Sequence, residues 1–457
     1  MSSLDTIIAH ATPHGYGSVG IVRVSGTLTK QVALELLGKL PSPRQAEYLP
    51  FYDINRKMLD KGIAIYFPCP NSFTGEDILE LHGHGGPVIL EMLLQRILMF
   101  PGIRIARPGE FSERAFINNK IDLTQAEAIA DIIEASSIQA ARAAVNSLQG
   151  VFSKKINYLI EEIINLRLYI EANIDFPDEE EISIISQEKI SVKLNQIISD
   201  INLLINKAHQ SSLLREGSKI VITGKPNVGK SSIMNLLTGS DVAIVTKIAG
   251  TTRDVLRQQI NLDGIPINII DTAGLCDETT NEVERIGINR AWHEIQQADH
   301  ILLIVDSCTT NLEEQENLYK KLISRLTYEK LFTIVRNKAD LSNEKIGKNN
   351  TNKYSIITIS ALLEDGIEIL IEHLKQSIGY TSLSIEGNFL ARSRHIEALN
   401  TAVSYFLIAK EKLFFPEIIE LLAEDLKLAH TALSEITGKF SSNDLLKRIF
   451  SRFCIGK

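Results

Sequence analysis

The pattern of hydrophobic and polar positions changes character along the chain. Up to about residue 118, short apolar runs such as 19–24 and 62–67 alternate with glycine and proline turns. Runs of this length, with turn residues between them, are typical of strands and short helices. The pattern therefore predicts a compact α+β domain at the start of the chain.

A helical pattern begins at about Asp122, where apolar positions recur every three or four residues. Thr124 and Glu127 have the spacing of a capping box, in which an acceptor at the helix start and a glutamate three residues later satisfy free backbone N–H groups. An alanine-rich helix is expected to run from there to Leu148. Further helices are predicted at 156–172, 188–208 and 395–452, and Pro177 in the acidic segment 175–181 predicts a break between the first two.

Between Ser218 and about Ser377, strand-like apolar runs alternate with helical stretches. This alternation predicts a mainly parallel sheet covered by helices on both faces. Asp263 and Gly264 form a strong hairpin turn between two of the runs, so one strand is expected to be antiparallel. The predicted strands are 220–222, 257–262, 265–270, 301–305, 331–335 and 356–359.

Composition narrows the class of protein. The chain has 457 residues, of which 44% are hydrophobic and 23% charged, and these values are typical of a folded globular protein. The net charge is −8, so the chain does not have the excess of basic residues that is typical of non-specific nucleic-acid binders. Cysteine usage and the N-terminal residues lead us to expect a cytoplasmic protein without disulfides, signal peptide or membrane span.

Residues 224–231 carry the clearest chemistry, because they match the Walker A pattern, follow a predicted strand and open a helix. The backbone N–H groups of such a loop cradle phosphate oxygens. We expect Lys230 to reach the β- and γ-phosphates and Ser231 to bind Mg²⁺.

Residues 337–340, Asn-Lys-Ala-Asp, follow a later predicted strand and indicate the base. The Asp340 carboxylate can accept hydrogen bonds from both the ring N–H and the amino group of guanine, an arrangement that adenine does not offer. A buried carboxylate left unpaired by the wrong base is costly. A backbone N–H near Ser360 and Ala361 is expected to contact the guanine oxygen.

Two further segments have the character of switches that the γ-phosphate orders. We expect Asp271 to act as a direct or indirect Mg²⁺ partner, the N–H of Gly274 to meet the γ-phosphate, and Thr252 to complete the Mg²⁺ coordination. Leu275 stands where a glutamine orients the attacking water in Ras-type GTPases, so another group is needed. The candidates are Asp277, Glu278, Glu282 and Glu284, each also interpretable as part of a solvated acidic helix start, and Arg253 is a candidate for stabilising charge.

These patterns predict a multidomain α/β and α protein, in which a Ras-like P-loop GTPase domain is inserted into a split helical domain. Insertion is easy when the termini of the inserted domain lie close together. The predicted domains are 1–118 (α+β), 119–216 (first helical half), 217–380 (GTPase, mostly parallel sheet with one antiparallel strand) and 381–457 (second helical half).

The chain resembles the MnmE (TrmE) family of tRNA-modifying GTPases over essentially its full length. The stretches that carry the resemblance lie outside the nucleotide motifs, at 70–77, 107–116, 211–217 and 453–457.

The resemblance implies a GTPase that works in a heterotetramer with an FAD-dependent partner, MnmG (GidA). Together they would add an aminomethyl or carboxymethylaminomethyl group to carbon 5 of the wobble uridine of tRNA. The one-carbon unit would come from 5,10-methylene- or 5-formyl-tetrahydrofolate bound by the N-terminal domain, which would also form a homodimer. Potassium would promote the approach of two G domains and activate hydrolysis.

The resemblance also implies roles for individual residues. Glu284 would orient the attacking water, and Cys454 would be a catalytic thiol. From their chemistry, Arg23 and Lys120 suit the carboxylates of a folate tail and Glu80 suits pterin N–H groups, although the residues alone read as ordinary surface charges. Cys276 departs from the basic residue that some relatives carry. The implied K⁺ ligands are Asn227, Thr246, Ile248 and Thr251, and the implied folate site is Arg23, Glu80, Lys120 and Lys457.

Two other classes of function stay open from the residues alone. A ribosome-assembly or regulatory GTPase without modification chemistry would have a similar G domain, but residues 381–457 hold ten Lys/Arg and nine Asp/Glu and therefore no basic excess. A folate-binding scaffold with a regulatory GTPase is the other.

The complete predicted GTP site is Asn227, Val228, Gly229, Lys230, Ser231, Ser232, Thr246, Lys247, Ile248, Ala249, Gly250, Thr251, Thr252, Asp271, Thr272, Ala273, Gly274, Asn337, Lys338, Ala339, Asp340, Ser360, Ala361 and Leu362.

Overall fold

The chain divides into two compact units, which are described separately. The structure is a computed structural model, and it describes residues 5–175, 187–239, 256–262, 265–271, 291–326, 328, 330–377, 389–413, 419–439 and 449. The first unit comprises Met1–Ile133, Ser147–Ile201 and Glu397–Lys457, and the second comprises Glu134–Asn146 and Asn202–Ile396. The predicted domain boundaries at 118, 216 and 380 stay predictions.

The first unit contains a six-stranded sheet in the order β3-β4-β5-β2-β1-β6. Strands β1 and β6 are parallel, and the other neighbouring pairs are antiparallel. This arrangement is the α+β organisation predicted for the N-terminal region. The strands are β1 (Thr6–His10), β2 (Gly20–Ser25), β3 (Glu47–Tyr52), β4 (Met58–Phe67), β5 (Ile78–Gly83) and β6 (Ile103–Ile105).

The two faces of this sheet differ in composition. Successive side chains of a strand point to opposite faces, so Leu79 and Leu81 join the core with residues of two helices, whereas Glu80 lies on the other face. That second face carries a smaller apolar cluster around Phe111. The helices that belong to this region are α1 (Thr29–Leu37), α2 (Pro87–Leu98) and α3 (Glu110–Ile117).

Long helices follow the sheet, as the periodicity predicted, and α6 packs against α14. The alanine-rich stretch is interrupted, because Ser137 Oγ accepts the Ala140 N–H at 3.0 Å and starts a new helix. The helices are α4 (Leu123–Glu134), α5 (Ile138–Leu148), α6 (Val151–Asp175), α7 (Gln187–Glu216), α13 (Ser393–Lys412) and α14 (Ile419–Thr437). The predicted break around Pro177 lies outside the described residues.

The capping box of α4 lies two residues before the predicted one. Asp122 Oδ1 accepts the Gln125 N–H at 2.9 Å, and Gln125 Oε1 accepts the Asp122 N–H at 3.0 Å. Thr124 and Glu127, the predicted pair, are buried within the helix. The prediction was wrong because both pairs have the required spacing and an oxygen acceptor, and only the path of the preceding chain selects between them.

The second unit contains a seven-stranded sheet in the order β12-β13-β11-β10-β7-β9-β8. Its five central strands are parallel, and β8 is antiparallel to β9 with the register of a two-residue hairpin, as predicted. A second antiparallel strand, β12, was not predicted, since its Gly-Lys-Asn-Asn sequence is short and polar. The strands are β7 (Ser218–Thr223), β8 (Leu256–Leu262), β9 (Ile265–Asp271), β10 (His300–Asp306), β11 (Leu331–Asn337), β12 (Gly347–Asn350) and β13 (Ser355–Thr358).

The mixed α/β and helical fold class is thereby confirmed. Within the described part of the chain, none of the helices combines the length and apolar character needed to cross a membrane. The helices that alternate with these strands are α8 (Lys230–Gly239), α9 (described over 291–297), α10 (Leu312–Ile323), α11 (Ala339–Ser342) and α12 (Ile367–Ser377).

Candidate functional site

The parallel strands of the second unit all end at one edge of the sheet, and the nucleotide motifs follow those ends. Residue 222 of β7 pairs with Asp271 of β9, and Asp306 of β10 pairs with Asn337 of β11. Ligands of open α/β sheets bind outside the carboxyl ends of the strands. The topology therefore brings together the predicted phosphate and base segments.

The P-loop has a backbone that requires glycine at two positions. Gly224 has φ +152° and Gly229 has φ +95°. A Cβ on Gly224 would lie 2.3 Å from the carbonyl oxygen of Ile304, and one on Gly229 would lie 2.3 Å from Asn337 Nδ2. Asn227, between them, is also in the left-handed region, with φ 63°. The glycines of the motif therefore allow the loop to pack against two neighbouring strand ends.

Lys230 begins α8 and turns back over the loop. Its Nζ donates to the carbonyl oxygens of Gly224 and Lys225, each at 3.0 Å. Ser231 and Ser232 follow in the first helical turn and are exposed. An ammonium group and a helix N-terminus at the same loop form a site for an anion such as a phosphate.

Asn337 joins three segments of the site. Its side chain is buried; Nδ2 donates to the Val228 carbonyl at 2.9 Å, and Oδ1 accepts the Ala361 N–H at 2.9 Å. The same residue therefore fixes the P-loop and the loop after β13 relative to the end of β11. Ala339 is buried beside it. This arrangement places the segments predicted to contact phosphate and base in one assembly.

The two charged residues of the base motif are also held in place. Lys338 Nζ lies 2.7 Å from Asp306 Oδ2, and Ser360 Oγ donates to Asp340 Oδ1 at 2.5 Å. Burial alone would raise the pKa of Asp306, but the hydrogen bonds and charge of Lys338 and the Cys308 N–H outweigh it and lower that pKa. Leu362, the last predicted contact, is exposed next to this loop.

Arg336 supports the base loop, and the sequence interpretation did not include it. Its guanidinium is buried, pairs through Nε and Nη2 with the Glu344 carboxylate at 2.8 and 2.6 Å, and donates to Gln315 Oε1 at 2.9 Å. It also donates to the carbonyl oxygens of Ser307 and Thr310. An arginine directly before Asn337, in a mostly apolar strand, was the available signal.

A second candidate site lies on the polar face of the six-stranded sheet. The register of β2 and β5 places Arg23 opposite Glu80. Arg23 Nε and Nη2 both lie 2.8 Å from Glu80 Oε1, and His82 Nε2 lies 3.1 Å from Oε2. Burial would raise the pKa of Glu80, but the His82 hydrogen bond and the Arg23 charge outweigh it and lower that pKa. Glu80 is therefore a fixed carboxylate at neutral pH.

Two aromatic rings adjoin this pair, and a third predicted residue lies beside the loop that carries one of them. The Arg23 guanidinium lies 5.9 Å from the centre of the Phe73 ring and 5.7 Å from that of Phe111. Lys120 packs on Gly75 in the loop that carries Phe73, since a Cβ on that glycine would lie 3.1 Å from Lys120 Cε. Arg23, which is paired with Glu80, and Lys120 thus each lie beside the loop that carries Phe73 and Gly75. Lys457 is outside the described residues.

The other predicted catalytic and switch residues are also outside the described part of the chain, and their predicted roles stay predictions. For Asp271, the structure describes only its place at the end of β9. The residues outside are Thr246, Lys247, Ile248, Ala249, Gly250, Thr251, Thr252, Arg253, Thr272, Ala273, Gly274, Leu275, Cys276, Asp277, Glu278, Glu282, Glu284 and Cys454.

Two family profiles match the chain. One, described as the MnmE helical domain, matches residues 123–454, and the other, described as the N-terminus of the GTP-binding protein TrmE, matches residues 6–120. A Baumannia cicadellinicola protein named tRNA modification GTPase MnmE is 64% identical over 455 residues, 100% of this chain and 99% of its own. A relative of the same name from Pectobacterium atrosepticum is 59% identical over 457 residues, 100% of both chains.

Solved structures match less closely. The G domain of the T. maritima FeoB iron transporter is 22% identical and covers 35% of this chain and 96% of its own, with a TM-score of 0.27. Aquifex aeolicus Era is 23% identical and covers 42% of this chain and 67% of its own, with a TM-score of 0.29. At these scores the likeness adds nothing to the description above.

Proposed function

The chain belongs to the MnmE (TrmE) family of tRNA modification GTPases, and from this premise we propose that it couples GTP hydrolysis to modification of the wobble uridine of tRNA. The chain is a GTP-hydrolysing enzyme by its family. In the proposed reaction, it acts with an FAD-dependent MnmG partner in a heterotetramer. The product carries an aminomethyl or carboxymethylaminomethyl group at carbon 5 of the uridine.

The observation that supports the nucleotide part is the bridging position of Asn337. By binding both the Val228 carbonyl and the Ala361 N–H, it sets the distance between the phosphate loop and the base loop. Asp340, held by Ser360, is then positioned to accept two hydrogen bonds from guanine. Because a site built around a carboxylate rejects a base that cannot donate to it, the arrangement favours GTP over ATP.

Phosphoryl transfer needs positioning and positive charge more than covalent participation of the protein. Lys230 is within the loop that would hold the phosphates, and Mg²⁺ supplies further charge there when bound. The exposed hydroxyl of Ser231, in the first turn of α8, suits Mg²⁺ as an oxygen ligand, with Thr252 as the second proposed ligand. Arg253 is proposed as a further source of stabilising charge.

Potassium completes the proposed mechanism of hydrolysis. Asn227 lies in the P-loop with its side chain exposed, and its amide oxygen is a suitable K⁺ ligand. Thr246, Ile248 and Thr251 are the other proposed ligands, and Glu284 is proposed to orient water in place of the missing glutamine. We expect faster GTP turnover in KCl than in NaCl at equal ionic strength, and a much smaller difference in Asn227→Ala. Equal rates in the two salts for the unchanged protein would remove K⁺ from the mechanism.

The polar face around Arg23 and Glu80 supports the folate part of the proposal. A fixed carboxylate, a nearby guanidinium and exposed Phe73 offer hydrogen-bond acceptors, positive charge and a stacking surface to a pterin with an acidic tail. Arg23 and Lys120 would bind the tail carboxylates, Lys457 would complete the folate site, and Cys454 would take part in the chemistry. Residues 1–118 are proposed as the folate-binding and homodimerisation domain, 217–380 as the GTPase domain, and the cytoplasm as the location.

Nucleoside mass spectrometry of total tRNA, with and without this protein in its native cell, tests the proposal. We expect the 5-aminomethyl-type wobble uridines to disappear on depletion and to return when the chain is re-expressed. If these uridines persist in a cell without a second copy, the modification role is wrong. A ribosome-assembly or regulatory GTPase would then be the better interpretation, and the nucleotide site would stand unchanged.

A further inference from the structure

A glycine lies where the loop that carries Phe73 meets the turn that carries Lys120. A Cβ built on Gly75 would lie 3.1 Å from Lys120 Cε and 3.5 Å from Lys120 Cγ. Both atoms belong to the aliphatic stem of the lysine, so the stem runs across the glycine. This close approach is possible because Gly75 has no side chain.

The end of α3 fixes the backbone of Lys120. Asn119 has φ 55°, in the left-handed region, and the Lys120 N–H donates to the Ala115 carbonyl at 2.8 Å, as is common where a helix ends. Lys120 is exposed, and no carboxylate in the described part of the chain is ion-paired with it. An ammonium on a fixed backbone suits a ligand that brings its own carboxylate.

The loop on the other side of the contact is held firmly. Thr74 Oγ1 lies 2.8 Å from Ser25 Oγ, and the Thr74 carbonyl accepts the Asn118 amide at 2.6 Å. Glu76 accepts the Ser25 hydroxyl at 2.7 Å and the Arg114 guanidinium at 3.1 Å. Ser25, Thr74 and Arg114 are buried. The loop is therefore less able to yield to an added atom at position 75 than the long lysine side chain is.

We propose that Gly75 is a positioning residue of the folate site and that it acts through Lys120. A methyl group at position 75 meets a firmly held loop and a flexible stem, so the stem gives way and the ammonium is displaced with it. The displaced ammonium no longer binds a tail carboxylate of the folate, whereas the groups that face the pterin stay in place. This role rests on the proposed folate function.

Two ligands of the same shape separate this role from a general loss of structure. 5-Formyl-tetrahydrofolate carries two tail carboxylates, and in its diamide both are neutral. Equilibrium binding to the full chain should show that the unchanged protein prefers the acid at least roughly tenfold. Lys120→Ala should lower this preference by roughly tenfold and Gly75→Ala by roughly threefold to tenfold, while the diamide affinity of each variant changes by less than about twofold. The double variant should match Lys120→Ala, since both changes remove one contact.

The matched control is Gly38→Ala, at the end of α1 in the same unit. Gly38 and Gly75 both have φ 79°, so alanine strains the backbone equally at the two positions. The nearest atom to a Cβ on Gly38 is Arg56 Nη1 at 3.6 Å. Gly38→Ala should therefore keep the full preference for the acid. Gly75→Asn adds a Cβ with a residue that adopts the left-handed conformation more readily, and it replaces Gly75→Ala if that variant does not fold.

The outcomes distinguish the levels of the proposal. If Gly75→Ala keeps the full preference that Lys120→Ala loses, or weakens the acid and the diamide equally, the role of Gly75 alone is wrong. Equal binding of the two ligands by the unchanged protein rejects tail recognition by Lys120, and the role of Gly75 with it. If the unchanged protein does not bind 5-formyl-tetrahydrofolate, the proposed folate function itself is wrong.

Discussion

The nucleotide edge of the seven-stranded sheet and the polar face of the six-stranded sheet hold their charged groups in different ways. At the edge, backbone groups and short loops form the site, and Asn337 links them through two hydrogen bonds to main-chain atoms. On the face, side chains form the site, and Arg23 and Glu80 meet only because two antiparallel strands are in the correct register. One site depends on loop geometry and the other on strand pairing.

Because of this difference, different changes in the chain are expected to disrupt each site. A one-residue shift of β2 against β5 would move Arg23 to the apolar face and dismantle the pair, because neighbouring side chains of a strand point to opposite faces. The nucleotide edge depends less on the register of a single strand pair, since most of its predicted contact residues lie in the loops after the strands. It is sensitive instead to single added atoms, since a Cβ on Gly229 would lie 2.3 Å from Asn337 Nδ2.

The largest expected effect at the nucleotide edge comes from Asp340→Asn. The amide loses one acceptor and presents a donor to the amino group of guanine, so GTP affinity should fall roughly 10²–10⁴-fold, the range of two hydrogen bonds to a charged group. Xanthosine triphosphate, which has an oxygen in place of that amino group, should bind the variant better than GTP. Isothermal titration calorimetry with both nucleotides measures this change in base preference. Unchanged GTP affinity would mean that Asp340 does not read the base.

On the polar face, Glu80→Gln should weaken folate binding by roughly 10–100-fold, because a charge-assisted acceptor becomes a neutral amide. Equilibrium binding of 5-formyl-tetrahydrofolate measures this effect. Glu35→Gln, at an exposed carboxylate of α1 in the same unit, is the matched control. GTP turnover should be the same in all three proteins. Loss of GTP turnover in Glu80→Gln, or unchanged folate affinity, would contradict the proposal that one region binds folate and the other hydrolyses GTP.

The two regions also differed in how far the sequence predicted them. For the nucleotide edge the sequence predicts contacts residue by residue, because its motifs are short and their spacing reflects the geometry of one loop or one strand end; the contacts stay predictions, and the structure brings the P-loop, Asn337 and Ala361 together. Arg23 and Glu80 read as ordinary surface charges, since nothing local records that residues 57 apart are paired. Only the resemblance to a family selected them. The register of an antiparallel sheet depends on distant strands, and local patterns do not specify it.

The errors in the predicted helix start and in the predicted strands have related causes. The capping box was placed at Thr124 instead of Asp122 because two overlapping registers satisfy the same rule. Strand β12 was missed because its residues have little strand preference, and pairing with β13 defines it. The path of the preceding chain decides the first case and pairing with a neighbouring strand decides the second, and the local sequence specifies neither.

Arg336 tests whether the nucleotide edge depends on support from inside the sheet. In Arg336→Lys the paired contact with Glu344 becomes a single one, and the carbonyls of Ser307 and Thr310 lose donors. We expect KM for GTP to rise roughly threefold to tenfold with little change in kcat, because the base loop is displaced but the phosphate groups are not. Glu344→Gln should act similarly, and the double variant should add little. A fall in kcat at constant KM would indicate a role near the phosphates.

The smallest effect concerns Asp306, a carboxylate whose pKa is lowered like that of Glu80 and which pairs with Lys338. Since its folded-state pKa lies below the unfolded value of about 4, its contribution to stability is complete above that pH and is lost as the pH falls through the folded-state pKa. Asp306→Asn should therefore lower the free energy of unfolding by about 1 kcal/mol or less at pH 6, because Lys338 is partly exposed. Urea unfolding of both proteins should show that difference shrinking as the pH falls below 4. If the difference in the free energy of unfolding persists below pH 4, it comes from packing of the amide. The ion pair with Lys338 would then not stabilise the folded protein.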